Sequence, residues 1–181
     1  MNLPNLLTIL RILLTPILII LILQKRLDLA TGLFSIAALT DALDGLIARR
    51  FNQKTKTGAI LDPVADKFLL TSAYLTLSAI DFLPQWLTIL VISRDVIIVA
   101  GIIILFLFQN GVEIRPSIIS KATTVFQLLT ILLVMAHNHL GIITNCIQLV
   151  YWITAGLTVI SGLHYMTVGV TLLNKGSNTG Q

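Results

Sequence analysis

Long apolar runs separated by short polar breaks dominate the chain, and the breaks divide it into six stretches, at 6–23, 29–48, 58–80, 86–108, 118–136 and 147–172. Crossing the hydrocarbon core of a bilayer as a helix takes about 20 mostly apolar residues. The six runs have that length and lack the period-two alternation of barrel strands. Backbone polar groups inside lipid must be satisfied within the segment, which favours helices. The pattern therefore predicts an all-α integral membrane protein with six transmembrane helices. Pro16 falls inside the first run as a tolerated kink, and Pro84 precedes the fourth.

Composition sharpens this picture. The chain is 56% hydrophobic and 11% charged, against roughly 25% charged residues in soluble domains. Mean hydropathy is +0.94. Too few charges remain to cover a water-facing surface. Cys146 is the single cysteine, so no internal disulfide is possible, and in an apolar helix it reads as inert packing. The first residues carry no basic n-region or small-residue cleavage site, so they are expected to belong to the mature chain. Residues 1–173 are expected to form one membrane domain, followed by a polar, disordered tail at 174–181.

Charge then predicts orientation. The break after the second run holds Arg49, Arg50, Lys54 and Lys56; the break after the fourth holds Arg115, with Lys121 beyond it; the tail holds Lys175. With six spans these share one side, and the opposite side has only Lys25 and Arg26. The positive-inside rule makes both termini cytoplasmic. The net charge of +4 then reflects loops beside anionic lipid rather than a nucleic-acid partner.

Four of the eight carboxylate residues, Asp41, Asp44, Asp62 and Asp66, sit at the facing ends of the second and third runs. An ionisable side chain at membrane depth is costly, and clustered like charges raise the cost. Such a group calls for a cation, and a set of hard oxygen ligands suits Mg²⁺ or Mn²⁺. Spacings of three and four place each pair on one helical face. Gly45, Ala48 and Gly58 leave room for a ligand or a close helix, and Arg49 at the interface can bind phosphate. A pyrophosphate substrate held by metal fits this combination.

The segment DALDGLIARRFNQKTKTGAILDPVAD, residues 41–66, resembles the signature of the CDP-alcohol phosphotransferases, D-x2-D-G-x2-A-R-x8-G-x3-D-x3-D, at every fixed position. The opening NLPNLLTILRI is similar to that of the phospholipid-synthesising members. The resemblance implies that Asp41, Asp44, Asp62 and Asp66 bind metal that grips a CDP pyrophosphate. Asp66 would also be the general base on the acceptor hydroxyl. It implies further that Gly45, Ala48, Arg49 and Gly58 line the CDP-lipid site, with Pro4, Asn5 and Thr55 touching the nucleotide. CDP-diacylglycerol is then the donor, CMP leaves, and the enzyme sits in the cell inner membrane as a homodimer. Two branches fit the acceptor. Glycerol 3-phosphate, the acceptor of the phosphatidylglycerophosphate-forming branch, is placed first; phosphatidylglycerol, the acceptor of the cardiolipin-forming branch, is the alternative. ISRDVIIVAG and RPSIISKATTVFQ look more like the second branch: Asp95 stands where the first has Glu, and Gly101 and Ile102 stand near where it has a further Arg.

Arg94, Arg115 and Lys121 are the acceptor-side candidates, since each can bind phosphate. Arg94 and Asp95 are adjacent within an apolar run, so each is expected to find its partner on another helix. Gln127 suits an interhelical hydrogen bond or an acceptor hydroxyl. Trp86, Tyr151 and Trp152 read as interfacial anchors, and His137 and His139 as interfacial residues. Other classes fit less well. An intramembrane prenyltransferase needs two separated Asp-rich motifs in a longer chain, and a channel needs acids spread through the membrane depth.

Overall fold

The computed structural model describes residues 3–51, 58–108, 117–140 and 144–177; its side chains are described for 10–40, 67–101, 117–136, 146–169 and 171. The chain forms six helices in order: α1 (Leu3–Leu23), α2 (Leu27–Phe51), α3 (Gly58–Ala79), α4 (Gln85–Phe108), α5 (Ile118–Leu140) and α6 (Thr144–Ser177). No strand occurs among the described residues. The six apolar runs are therefore six helices, each within a few residues of its expected place. Two of them, over Ile118–Ala136 and Cys146–Gly169, are long and apolar enough to cross a membrane among the described residues; Leu10–Leu23 and Leu27–Thr40 are shorter apolar stretches. The polar tail departs from expectation, because α6 continues through 174–177. Asn174 and Lys175 do not stop a helix.

The chain groups into two compact units: 1–85 with 128–147, and 86–127 with 148–181. Helix α5 and the start of α6 contribute to both, so no linker composition marks the division. In the first unit, α1 packs on α3 and on α2. Its buried side chains recur at helical spacing: Leu18 and Ile22 on α1, Ala30, Phe34 and Ala37 on α2, and Leu70, Ala73, Tyr74 and Leu77 on α3. Apolar residues on the outer faces, such as Leu13, Ile36 and Leu39, are exposed.

Two tight turns close this unit. α1 ends with Arg26 N donating to Leu21 O and Lys25 N to Ile22 O, and α3 ends with Phe82 N donating to Leu77 O and Asp81 N to Ser78 O. This is the Schellman pattern, which places the residue after the helix in the left-handed region. Lys25 and Asp81 take that position, at φ of 58° and 60°. Hydroxyls within the apolar helices satisfy themselves on the preceding turn: Thr15 donates to Arg11 O at 2.9 Å, Thr31 to Leu27 O at 2.6 Å and Thr76 to Ser72 O at 2.7 Å.

Candidate active site

The second half of α2 carries Asp41, Asp44, Gly45, Ala48 and Arg49, and α3 opens at Gly58 and carries Asp62 and Asp66. Both aspartate pairs thus lie on continuous helix, at register positions three and four apart that share one side. Their side chains lie outside the described ones, as do those of Pro4 and Asn5 in the first turns of α1. Thr55 and Arg115 lie outside the described residues.

The first unit fixes the level of α1 beside α2. Leu10, Arg11 and Leu14 enclose, with Ile36, Ala37 and Thr40, a cavity of about 30 Å³. The short turn at residues 24–26 makes the two helices antiparallel, so Arg11 stands level with 37–40, just before Asp41. Moving seven residues toward the start of α1 and seven along α2, at the common rise of about 1.5 Å per residue, brings Pro4 and Asn5 to the level of Asp44 and Gly45. The residues that the resemblance assigns to the nucleotide therefore share a level with the first aspartate pair.

Arg11 was not singled out from the sequence. It is only 5% exposed. Its signal was present, since it is the only charged side chain in the first 24 residues. A basic residue in an apolar run needs negative charge at its own level, and α2 places Asp41 next along.

A second polar cluster lies in the second unit. Arg94 is 4% exposed. Its Nη1 donates to Asp95 Oδ1 at 2.7 Å, and its Nη2 donates to Ser120 Oγ and to Ser161 Oγ, both at 2.7 Å. The guanidinium also lies 5.9 Å from the Tyr165 ring centroid. One side chain thus ties α4 to α5 and α6. The expectation that Arg94 and Asp95 would not pair is corrected: the flexible Arg stem swings its head onto the neighbouring carboxylate. Both Nη2 hydrogens are engaged, and each bidentate edge of a guanidinium includes one of them. In this arrangement Arg94 cannot clamp a phosphate with two hydrogen bonds. Thr123 Oγ1 donates to Leu157 O at 3.2 Å and Thr154 Oγ1 to Phe126 O at 3.4 Å, joining α5 to α6 again.

The remaining candidates scatter. Lys121 is exposed in the first turn of α5, beside the Ser120 that Arg94 holds. Gln127 is buried. Trp86 and Trp152 pair with ring centroids 5.3 Å apart. Cys146 is exposed rather than packed, because it sits in the first turn of α6. A Cβ on Gly101 would meet nothing within 4 Å, so packing does not require a glycine there. Among the residues whose side chains are described, which do not include the four aspartates, no group of three or more His, Cys, Asp or Glu could hold a metal ion. The donor chemistry of the four aspartates, carboxylate oxygen throughout, fits a hard divalent cation.

Known proteins place the chain. Residues 1–162 match the CDP-alcohol phosphatidyltransferase family. The chain is 36% identical to the cardiolipin synthase (CMP-forming) of Rattus norvegicus over 93% of its own length and 61% of that protein's. It is 35% identical to the CDP-diacylglycerol–glycerol-3-phosphate 3-phosphatidyltransferase of Aquifex aeolicus, over 97% of this chain and 99% of the relative. The enzyme of the same name in Bacillus subtilis is 32% identical over 92% and 94%. The chain spans about three fifths of the rat and human cardiolipin synthases that it matches, 61% and 62%. With the motif of α2 and α3 complete and the match running through residue 162, the chain belongs to the CDP-alcohol phosphatidyltransferase family.

Proposed function

We propose that the protein transfers the phosphatidyl group of CDP-diacylglycerol to glycerol 3-phosphate and releases CMP. The observation that carries this reading is the end-to-end correspondence with the Aquifex enzyme, 97% of one chain against 99% of the other, on a chain whose eight motif positions are all filled.

The chemistry follows from the residues. Asp41, Asp44, Asp62 and Asp66 would hold Mg²⁺ or Mn²⁺, which when bound offsets the charge of the CDP pyrophosphate and of the departing CMP. Arg49, at the water end of α2, adds a fixed cation for a phosphate. Gly45, Ala48 and Gly58 would leave room for the CDP group, and the family resemblance assigns Pro4, Asn5 and Thr55 to the nucleotide. Asp66 accepts the proton of the acceptor hydroxyl. The hydroxyl oxygen forms a bond to the lipid-side phosphorus, the bond from that phosphorus to the CMP oxygen breaks, and the proton leaves through Asp66. Arg115 and Lys121 are the cations for the phosphate of the acceptor. Charge placement supports six spans with both termini cytoplasmic; a place in the cell inner membrane and a homodimer are what the family resemblance implies.

A second reading, transfer to phosphatidylglycerol to form cardiolipin, is favoured by the match to the rat enzyme and by Asp95 and Gly101. CMP release from CDP-diacylglycerol and Mg²⁺ with each acceptor separately decides between them. Release with glycerol 3-phosphate alone is expected. Release with phosphatidylglycerol alone would overturn the first reading in favour of the second.

A further inference from the structure

The entry of α5 has no apolar anchor. Ile118 is 85% exposed, Lys121 is exposed, and Ser117, Ile119 and Ser120 are part-buried; the first buried side chain along the helix is Thr123. Helix ends fray where packing does not hold them. Polar bonds hold this one instead. Ser117 Oγ accepts from Ser120 N at 3.2 Å, which caps the helix. Ser120 Oγ in turn accepts from Arg94 Nη2 at 2.7 Å. Arg94 is itself fixed: it is 4% exposed, its Nη1 is paired with Asp95, and its Nη2 also donates to Ser161 Oγ on α6. All these residues belong to the second unit. The charge-assisted bond to Ser120 is therefore the tie that sets where the first turn of α5 stands against α4 and α6. A buried ion pair is a poor source of stability, since apolar residues of similar volume often do as well, and its best-attested use is to fix a register. Lys121 follows Ser120 directly in the chain, so a shift of one carries the other.

We propose that Arg94 is a positioning residue: through Ser120 it holds the first turn of α5 so that Lys121 meets the phosphate of the acceptor. The proposal rests on the reading of Lys121 as a cation for that phosphate. It does not depend on which acceptor is used, because glycerol 3-phosphate and phosphatidylglycerol each carry one phosphate.

The test is steady-state CMP release by the purified full chain, with the concentration of whichever acceptor turns over varied. Ser120→Ala cuts the tie and leaves Arg94, Asp95 and Ser161 in place. It should raise the acceptor KM at least about fivefold with kcat and the KM for CDP-diacylglycerol unchanged, the pattern of a lost binding contact. Ser120→Thr keeps the hydroxyl and should restore the KM. Ser161→Ala removes an equally short bond from the same guanidinium to the other helix. It should lower the melting temperature and leave the acceptor KM where it was. Lys121→Met should raise that KM at least as much as Ser120→Ala does. On the Lys121→Met background Ser120→Ala should add nothing, because a residue that acts through Lys121 loses its effect once Lys121 is gone. An unchanged KM for Ser120→Ala, a fall in kcat alone, an equal KM rise for Ser161→Ala, or additive effects of Ser120→Ala and Lys121→Met would overturn the proposal. An unchanged KM for Lys121→Met would overturn it too, and would place the fault in the acceptor reading of Lys121 rather than in the tie.

Discussion

The two units handle charge within apolar helices in opposite ways. In the second, Arg94 brings its own counter-charge, Asp95, and two serine hydroxyls from neighbouring helices. The cluster is nearly complete within the protein and works as a cross-tie. In the first, four carboxylates lie on two helices with one buried guanidinium, Arg11, level with their start. Four carboxylates at the facing ends of two helices are what the proposed metal-assisted transfer rests on. Charge satisfied within the chain reads as structural, and charge left for a ligand as functional.

Asp66→Asn should separate the two roles most sharply. It removes the proton acceptor while keeping the shape, so CMP release should fall by about 10²–10⁴-fold while the melting temperature and CDP-lipid binding hold. Unchanged CMP release would remove Asp66 from the role of base. Arg94→Leu should do the reverse. Breaking a buried ion pair from one side costs about 3–5 kcal/mol, so the detergent-solubilised protein should melt much earlier; an unaltered melting curve would deny the cross-tie. Arg11→Met falls between them. Removing the buried cation that stands level with the start of the aspartate segment should lower CMP release about tenfold with the helical circular dichroism intact. Full activity would place Arg11 outside the site. The smallest effect is expected at the turns. Lys25→Gly should stabilise by about 0.5–1 kcal/mol, since glycine accepts the left-handed conformation without strain. Asp81→Gly should gain less, because Asp tolerates that region better than Lys; equal or opposite shifts in melting temperature would contradict the turn geometry.

Much of this was legible in the chain. Six helices follow from run length, and the aspartate pairs follow from spacing, because both depend on local periodicity. The self-contained bonding of Arg94 was not legible: Ser120 lies 26 residues away and Ser161 67 away, and no local rule joins them. The rule that adjacent helical residues do not meet failed at Arg94 and Asp95, since it describes Cβ directions and not the reach of a long side chain. Arg11 was visible as a lone charge, but its level beside Thr40 needed the packing of α1 on α2. The division into two units was hidden because helices, not linkers, cross it.

The central claim is that the four-aspartate segment of α2 and α3 performs metal-assisted phosphatidyl transfer. Its most direct test is CMP release from CDP-diacylglycerol and glycerol 3-phosphate by the purified full chain, before and after chelation with EDTA and then with excess Mg²⁺ restored. The account predicts that release stops on chelation and returns with Mg²⁺. Release that continues undiminished in EDTA would contradict it.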